Sequence, residues 1–211
     1  MKSLLVLMLL GSFVPNVAAS TTMSFDVYLD DNKIGKHQVS IAKENNEKYV
    51  EIKANMQVRL LFITLFHYEH EAYEHWQQGC VSKLDTRTLD DGENLTVTGR
   101  MVEDGFEVIS SEETRLLSDC VRTFAYWDPQ LLSSEYLLNT QNGKYEAAEL
   151  VEEGKSSLSF NGANYGAQHY RLNVGDSVVI RLWYDAEDNW QALETEVAGG
   201  RKLRYLRQEN G

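Results

Sequence analysis

The chain is poor in residues that interrupt strands or form covalent bonds, because its 211 residues include only two prolines and two cysteines. Basic residues are also scarce: 20 Lys and Arg stand against 32 Asp and Glu, which gives a formal net charge of −12. A charge of this sign repels both a nucleic-acid backbone and an anionic lipid surface. We therefore expect no nucleic-acid partner and no electrostatic docking on membranes.

The common catalytic and cofactor motifs are absent as well. The sequence has no GxSxG, HExxH or CxxC pattern, no P-loop and no GxGxxG. GxSxG carries a serine nucleophile, HExxH binds zinc and CxxC holds redox cysteines. The P-loop and GxGxxG bind nucleotides. We therefore expect no cofactor and assign no catalytic residue, although the sequence alone leaves enzymatic activity open.

The N-terminus has the features of a secretory signal peptide. Lys2 precedes an apolar run from Leu4 to Val14, and small residues end at Ala19. The run is too short for a membrane span, which needs about 20 residues. We expect residues 1–19 to be cleaved and residues 20–211 to form one domain in the periplasm without a transmembrane anchor. A retained anchor is the alternative.

The two cysteines, Cys80 and Cys120, are 40 residues apart. In the oxidising compartment that a signal peptide implies, they are expected to form a disulfide. Two buried free thiols are the alternative.

Turn-forming pairs such as Asp91-Gly92 and Asn161-Gly162 recur at intervals of one strand plus its turn. Between the turns, segments such as Tyr49 to Val58 alternate apolar and polar residues, which is typical of half-buried strands. Asp128 followed by Pro129 predicts one short helix near residues 129–137. The fold is predicted to be all-β, an antiparallel meander curled into a barrel or half-barrel, with a two-sheet sandwich as the alternative.

The segment from Leu60 to Phe66 is apolar without alternation. It is either a strand covered on both faces or an apolar lip that meets a ligand or partner. A curled sheet can enclose a pocket, and aromatic side chains can line it. The candidate ligand-binding residues are Phe62, Phe66, Trp76, Tyr126, Trp127, Trp183 and Trp190. The alternative for these rings is core packing.

The densest group of titratable residues lies between His67 and Trp76. On a strand, one face of this segment carries the candidate metal ligands His67, Glu69, Glu71 and His75. Imidazole and carboxylate groups suit zinc or iron. A solvated strand face with alternating charges is the alternative interpretation.

Several short motifs resemble an uncharacterised family of exported proteobacterial proteins, known as a domain of unknown function. The motifs are Phe25 to Leu29 with Lys33 to His37, His70 to Trp76 with Gly79, Phe124 to Pro129, Leu138 to Gly143, Leu182 to Asp185 with Trp190, and Gly200 to Tyr205. The opening strand, turn and strand are more loosely similar to periplasmic curled-sheet proteins, some of them lipid or lipoprotein carriers. The resemblance implies a periplasmic location and an all-β fold, and it supplies no catalytic residue.

The function expected from these observations is the binding or carriage of an apolar, lipid-like ligand in the periplasm. Two alternatives remain open. One is an envelope structural or interaction protein without a ligand, and the other is a metal-dependent hydrolase at the His67 to His75 segment.

Overall fold

A computed structural model describes residues 19–60, 63–118 and 120–208. The predicted signal peptide lies outside these ranges, apart from Ala19, which begins the first strand. Within these ranges, sixteen strands follow one another. They are β1 (Ala19–Leu29), β2 (Asn32–Glu44), β3 (Glu47–Leu60), β4 (Ile63–Gln77), β5 (Cys80–Asp90), β6 (Glu93–Val102), β7 (Gly105–Ser110), β8 (Thr114–Leu117), β9 (Tyr136–Leu138), β10 (Tyr145–Lys155), β11 (Leu158–Phe160), β12 (Ala163–Tyr165), β13 (Gln168–Val174), β14 (Val178–Tyr184), β15 (Trp190–Val197) and β16 (Arg201–Arg207).

Fourteen of the strands form one antiparallel sheet in the order β8-β7-β6-β5-β4-β3-β2-β1-β16-β15-β14-β13-β10-β9. The sheet has two arms, which join where β1 pairs with β16. One arm is β1 to β8, and the other is β9, β10 and β13 to β16. Its two edge strands, β8 and β9, are not neighbours, so the sheet is not closed. This architecture confirms the predicted all-β antiparallel meander in its half-barrel form.

The alternation of the sequence separates an inner face of the sheet from an outer one. In β3, Val50, Ile52, Ala54 and Met56 are buried, whereas Tyr49 is 44% exposed. The register continues this inner row onto the neighbouring strands, so that Ile52 lies between Val39 of β2 and Ala72 of β4. The main core is therefore the apolar layer on the inner face.

Residues 120–144, which we call the crossing segment, lie across the inner face and contact both arms. The segment is attached at its start by the Cys80–Cys120 disulfide, which confirms the predicted pair. It then contacts β3 through a 2.9 Å ion pair between Asp128 and Lys48. Further along, the Thr86 hydroxyl of β5 donates to the Thr140 carbonyl oxygen at 2.7 Å.

The helix predicted near residues 129–137 is shorter than expected. It is a 3₁₀ helix over Pro129–Ser133, and the Asp128 side chain caps it by accepting from Gln130 N at 3.0 Å. The residues that follow form β9, where Leu137 and Leu138 are fully buried. Pairing with β10 and burial in the core outweigh helix continuation there.

A two-stranded hairpin, β11 and β12, lies outside the main sheet and covers part of its outer face. Phe160 of this hairpin packs with Trp183, Ala192 and Leu206 in a separate buried cluster. The sheet is therefore covered on both faces at β14 to β16, which explains why these strands are apolar on both sides.

The apolar segment from Leu60 to Phe66 lies at the β3–β4 turn, and Leu61 and Phe62 are outside the described residues. Leu65 is 54% exposed, and Phe66 is half-buried. In the described ranges, no helix has the length and apolar character that a membrane span requires.

Candidate ligand cavity

A cavity of about 320 Å³ lies between the inner face of the sheet and the crossing segment. Both arms contribute to its walls, together with residues 124–127 and 139–141 of the crossing segment. The lining residues are His37, Val39, Ile52, Tyr68, His70, Phe124, Tyr126, Trp127, Asn139, Thr140, Gln141, Glu146, Val174, Val178, Ile180 and Trp190. Val178 is 47% exposed, so the cavity meets solvent beside it.

Strand register places the two cavity histidines in one row. His37 of β2 and His70 of β4 both pair with Ala54 of β3. This register brings both imidazoles to the same face of the sheet, where they line the cavity.

Both histidines are held in the neutral form. Burial lowers the pKa of His37 to about 3 and that of His70 to about 4, and the nearby His70 ring makes a further, smaller contribution to the lowered pKa of His37. His70 Nδ1 lies 2.8 Å from the Thr88 hydroxyl, and the His37 ring lies between the rings of Trp190 and Tyr205. A neutral imidazole offers one hydrogen-bond donor and one acceptor, so these residues add polar groups without charge.

The hydroxyl groups near the cavity are un-ionised too. Burial raises the pKa of Tyr68 and of Tyr126 far above its ordinary value. The Tyr68 hydroxyl donates to Gln141 Oε1 at 3.4 Å, and Gln141 Nε2 donates to Asp90 Oδ2 at 3.0 Å. This chain of hydrogen bonds fixes the crossing segment against β4 and β5 and orients the amide of Gln141 at the cavity wall.

Three of the predicted ligand-binding residues, Tyr126, Trp127 and Trp190, line the cavity. Trp76 lies behind this wall, with its ring centroid 5.3 Å from that of Trp127 in an edge-to-face contact. Phe66 lies on the inner face near the β3–β4 turn, 6.5 Å from the Tyr68 ring.

The other two predicted ligand-binding residues are not part of the cavity. Trp183 lies on the outer face, where its ring stacks on His169 at 4.6 Å and packs beneath the β11–β12 hairpin. Phe62 lies outside the described residues.

The candidate metal ligands lie on the outer face and divide into separate pairs. His67 Nε2 contacts Glu69 Oε1 at 3.0 Å, whereas His75 Nε2 contacts Glu47 Oε2 at 2.7 Å. Glu71 lies between Lys53 and Arg87 of the neighbouring strands. Across the described ranges, no three His, Cys, Asp or Glu side chains are grouped as a metal ion would require. The metal centre stays a prediction from the sequence.

Several cavity residues were not identified from the sequence, namely Tyr68, Phe124, Gln141 and Glu146. Single-residue alternation assigns a side chain to one of two faces but does not tell which face a distant segment will cover. The available signal was the motif from Leu138 to Gly143, a polar loop that follows two buried leucines.

Comparison with known proteins gives a family and a fold. A family model described as "Domain of unknown function (DUF6134)" matches residues 25–208. The structure is similar to the crystal structure of a beta-barrel-like protein of domain of unknown function DUF1849 from Brucella abortus, with a TM-score of 0.64 and 9% sequence identity over 92% of this chain and 97% of that one. At this identity the likeness shows the fold alone. No match was found among curated proteins.

Proposed function

Since the chain belongs to the DUF6134 family, whose function is unknown, we propose that it is an exported periplasmic protein that binds a small, largely apolar molecule in the cavity described above. Family membership confirms the sequence-based expectation of an uncharacterised family. Export and ligand binding go further than the family description and rest on the signal-peptide pattern and on the cavity.

The cavity walls are the observation that carries the binding proposal. Val39, Ile52, Val174 and Ile180 supply aliphatic surface, and the aromatic residues on the crossing segment and β15 face the same space. A volume of about 320 Å³ lies at the lower end of the range for small-molecule pockets, roughly 300 to 1,000 Å³. Polar groups are interspersed with this apolar surface, at the two neutral histidines, at residues 139–141 and at Glu146. Such placed polar groups orient a ligand in an otherwise apolar site.

Position 178 provides a direct test. Val178 lines the cavity and is 47% exposed, so Val178→Trp adds bulk at the opening without entering the packed core. Val179 is next to it on the opposite face of β14, and Val179→Trp is the matched control. N-phenyl-1-naphthylamine, a neutral apolar fluorophore, is the probe.

We expect probe fluorescence to increase on titration with the wild type and with Val179→Trp, and the increase to be lost in Val178→Trp. Native mass spectrometry of untagged protein from the periplasmic fraction should also show an added mass that organic extraction removes. A protein that carries no added mass and gives no fluorescence change would instead be the ligand-free envelope protein. Absence of the protein from the periplasmic fraction would overturn the localisation.

A further inference from the structure

The charges around the cavity restrict which apolar molecules it can accept. Among its lining residues, all of which are in the described part of the chain, none is Lys or Arg. The two lining histidines are neutral at physiological pH because of their burial. Glu146 is therefore the one charged side chain on the cavity wall.

Glu146 is half-buried on β10 and acts on the interior of the cavity. Its Oε2 accepts a hydrogen bond from Asn139 Nδ2 at 3.4 Å, which orients the carboxylate beside the crossing segment. Glu146 and Tyr126 line the same cavity. Burial is the main cause of the raised pKa of Tyr126, and the negative charge of Glu146 adds a smaller contribution. A second carboxylate, that of Asp90, accepts a hydrogen bond from Gln141. Its negative charge adds a smaller contribution to the pKa of Tyr68, which is raised mainly by burial.

Aromatic rings line the same cavity as this carboxylate. The ring centroids of Phe124 and Tyr126 are 6.2 Å apart, and those of Tyr126 and Trp190 are 5.4 Å apart. The faces of such rings carry partial negative charge and attract cations, above all organic ammonium groups. A cavity lined by one carboxylate and several aromatic rings is a suitable environment for a positive charge with an apolar body.

Two nearby basic residues, Lys48 and Arg207, do not neutralise the negative charge of Glu146 in the cavity. Lys48 lies over the Trp127 ring at 4.9 Å but is paired with Asp128 at 2.9 Å. Arg207 donates to the Trp190 carbonyl oxygen at 3.1 Å. Neither Lys48 nor Arg207 lines the cavity, so neither offers a partner to an anion bound there.

We propose that the cavity selects a small organic cation, an amine or ammonium compound with an apolar body, whose charge lies between Glu146 and the wall formed by Tyr126 and Trp190. This inference rests on the proposed ligand-binding function and names the chemical class of its ligand. It excludes fatty acids and other anionic amphiphiles, whose head group would be desolvated beside Glu146 without a basic partner.

The test compares three ligands that share an alkyl chain of the same kind and differ in head-group charge: octyltrimethylammonium, octanol and octanoate. Binding is measured at pH 7 by calorimetry and by the fluorescence of the tryptophans. Glu146→Gln removes the cavity charge. Glu149→Gln is the matched control, because Glu149 is an exposed glutamate on the other face of β10 that also accepts from an asparagine, Asn173, at 3.0 Å.

We expect the ammonium compound to bind at least about tenfold more tightly than octanoate, with octanol between them. Glu146→Gln should weaken ammonium binding about tenfold and leave octanol binding unchanged, and Glu149→Gln should change neither. Equal affinities, or tightest binding of octanoate, would overturn the charge selectivity while leaving the binding function intact. Failure of all three ligands to bind, together with no response to N-phenyl-1-naphthylamine, would overturn the binding function itself.

Discussion

The indole nitrogen of Trp76 donates a 2.7 Å hydrogen bond to Glu74 Oε2, two residues earlier on the inner face of β4. Glu74 is only 3% exposed, and its other carboxyl oxygen is buried without a hydrogen-bond partner among the described residues. One carboxyl group thus has one satisfied and one unsatisfied oxygen inside the core. This arrangement makes the stability of the protein depend on the protonation of Glu74.

Replacement of Glu74 by Gln should stabilise the protein at pH 8. Burial raises the pKa of Glu74 to about 7, and the Trp76 hydrogen bond and the nearby Thr123 hydroxyl oppose this only in part. The carboxyl group of Glu74 therefore keeps its proton up to about pH 7 in the folded protein, whereas in the unfolded chain it loses the proton above its ordinary pKa of 4.5. The free energy of unfolding consequently falls as the pH rises from 4.5 to 7. The gain at pH 8 should be about 3 kcal/mol and should vanish below pH 4.5.

Urea unfolding at several pH values measures this difference. Glu71→Gln, which changes an exposed glutamate on the outer face of the same strand, is the control. If the stability of Glu74→Gln followed the same pH curve as the wild type, the carboxyl group would not be the source of the effect.

His70→Gln should reduce the loss of folding stability at acidic pH. Burial lowers the pKa of His70 to about 4 in the folded protein, whereas the unfolded chain takes up the proton near 6.5. The contribution of the neutral His70 ring to the free energy of unfolding is fully present above pH 6.5 and is lost as the pH falls towards 4. The wild type should lose about 3 kcal/mol more than the variant between pH 7 and pH 4.

Protonation of Glu74 changes the free energy of unfolding in the opposite direction over part of this pH range. Each variant is therefore compared separately with the wild type. His67→Gln serves as the reference for His70→Gln, because His67 lies on the outer face of β4 with its side chain 33% exposed. Equal pH slopes for His70→Gln and the wild type would contradict the prediction.

Loss of the Cys80–Cys120 disulfide should lower the free energy of unfolding by about 4 kcal/mol, the value expected from closing a loop of this length in the unfolded chain. The bridge spans 40 residues, which include β5 to β8, and it attaches the crossing segment to the start of β5. The double variant Cys80→Ser, Cys120→Ser is compared with the oxidised wild type by urea unfolding. Thiol titration of the denatured wild type checks the premise, since two reactive thiols would show that the bridge is absent.

The strands could be predicted from the sequence because most of them obey local rules. Alternation from Tyr49 to Val58 matches β3, and turn pairs such as Asp91-Gly92 mark the ends of strands. The pairing of β1 with β16 was not predictable in this way, since no local pattern links Phe25 to Arg207. The short helix was predicted too long because the burial of Leu137 and Leu138 depends on a distant sheet.

The cavity was only partly predictable for the same reason. Tyr126, Trp127 and Trp190 were identified as aromatic residues able to line a pocket, but Trp183 has the same chemistry and lies on the other face. Glu146 gave no signal of its own, because a glutamate on a charged strand is ordinarily solvated. Its role depends on the crossing segment, which brings Asn139 within hydrogen-bond distance of it and Tyr126 to the wall of the same cavity.

The seam between β1 and β16 has a consequence for how the chain folds. Within each arm, the paired strands are close in sequence, consecutive except where β10 pairs with β13, so the arms can form from local contacts. The seam joins the first described strand to the last. Contacts between residues far apart in sequence form slowly because of the entropy of closing so long a loop. Seam formation is therefore expected to be the late, rate-limiting event, and until it occurs β1 and β16 remain open strand edges that can pair with other chains.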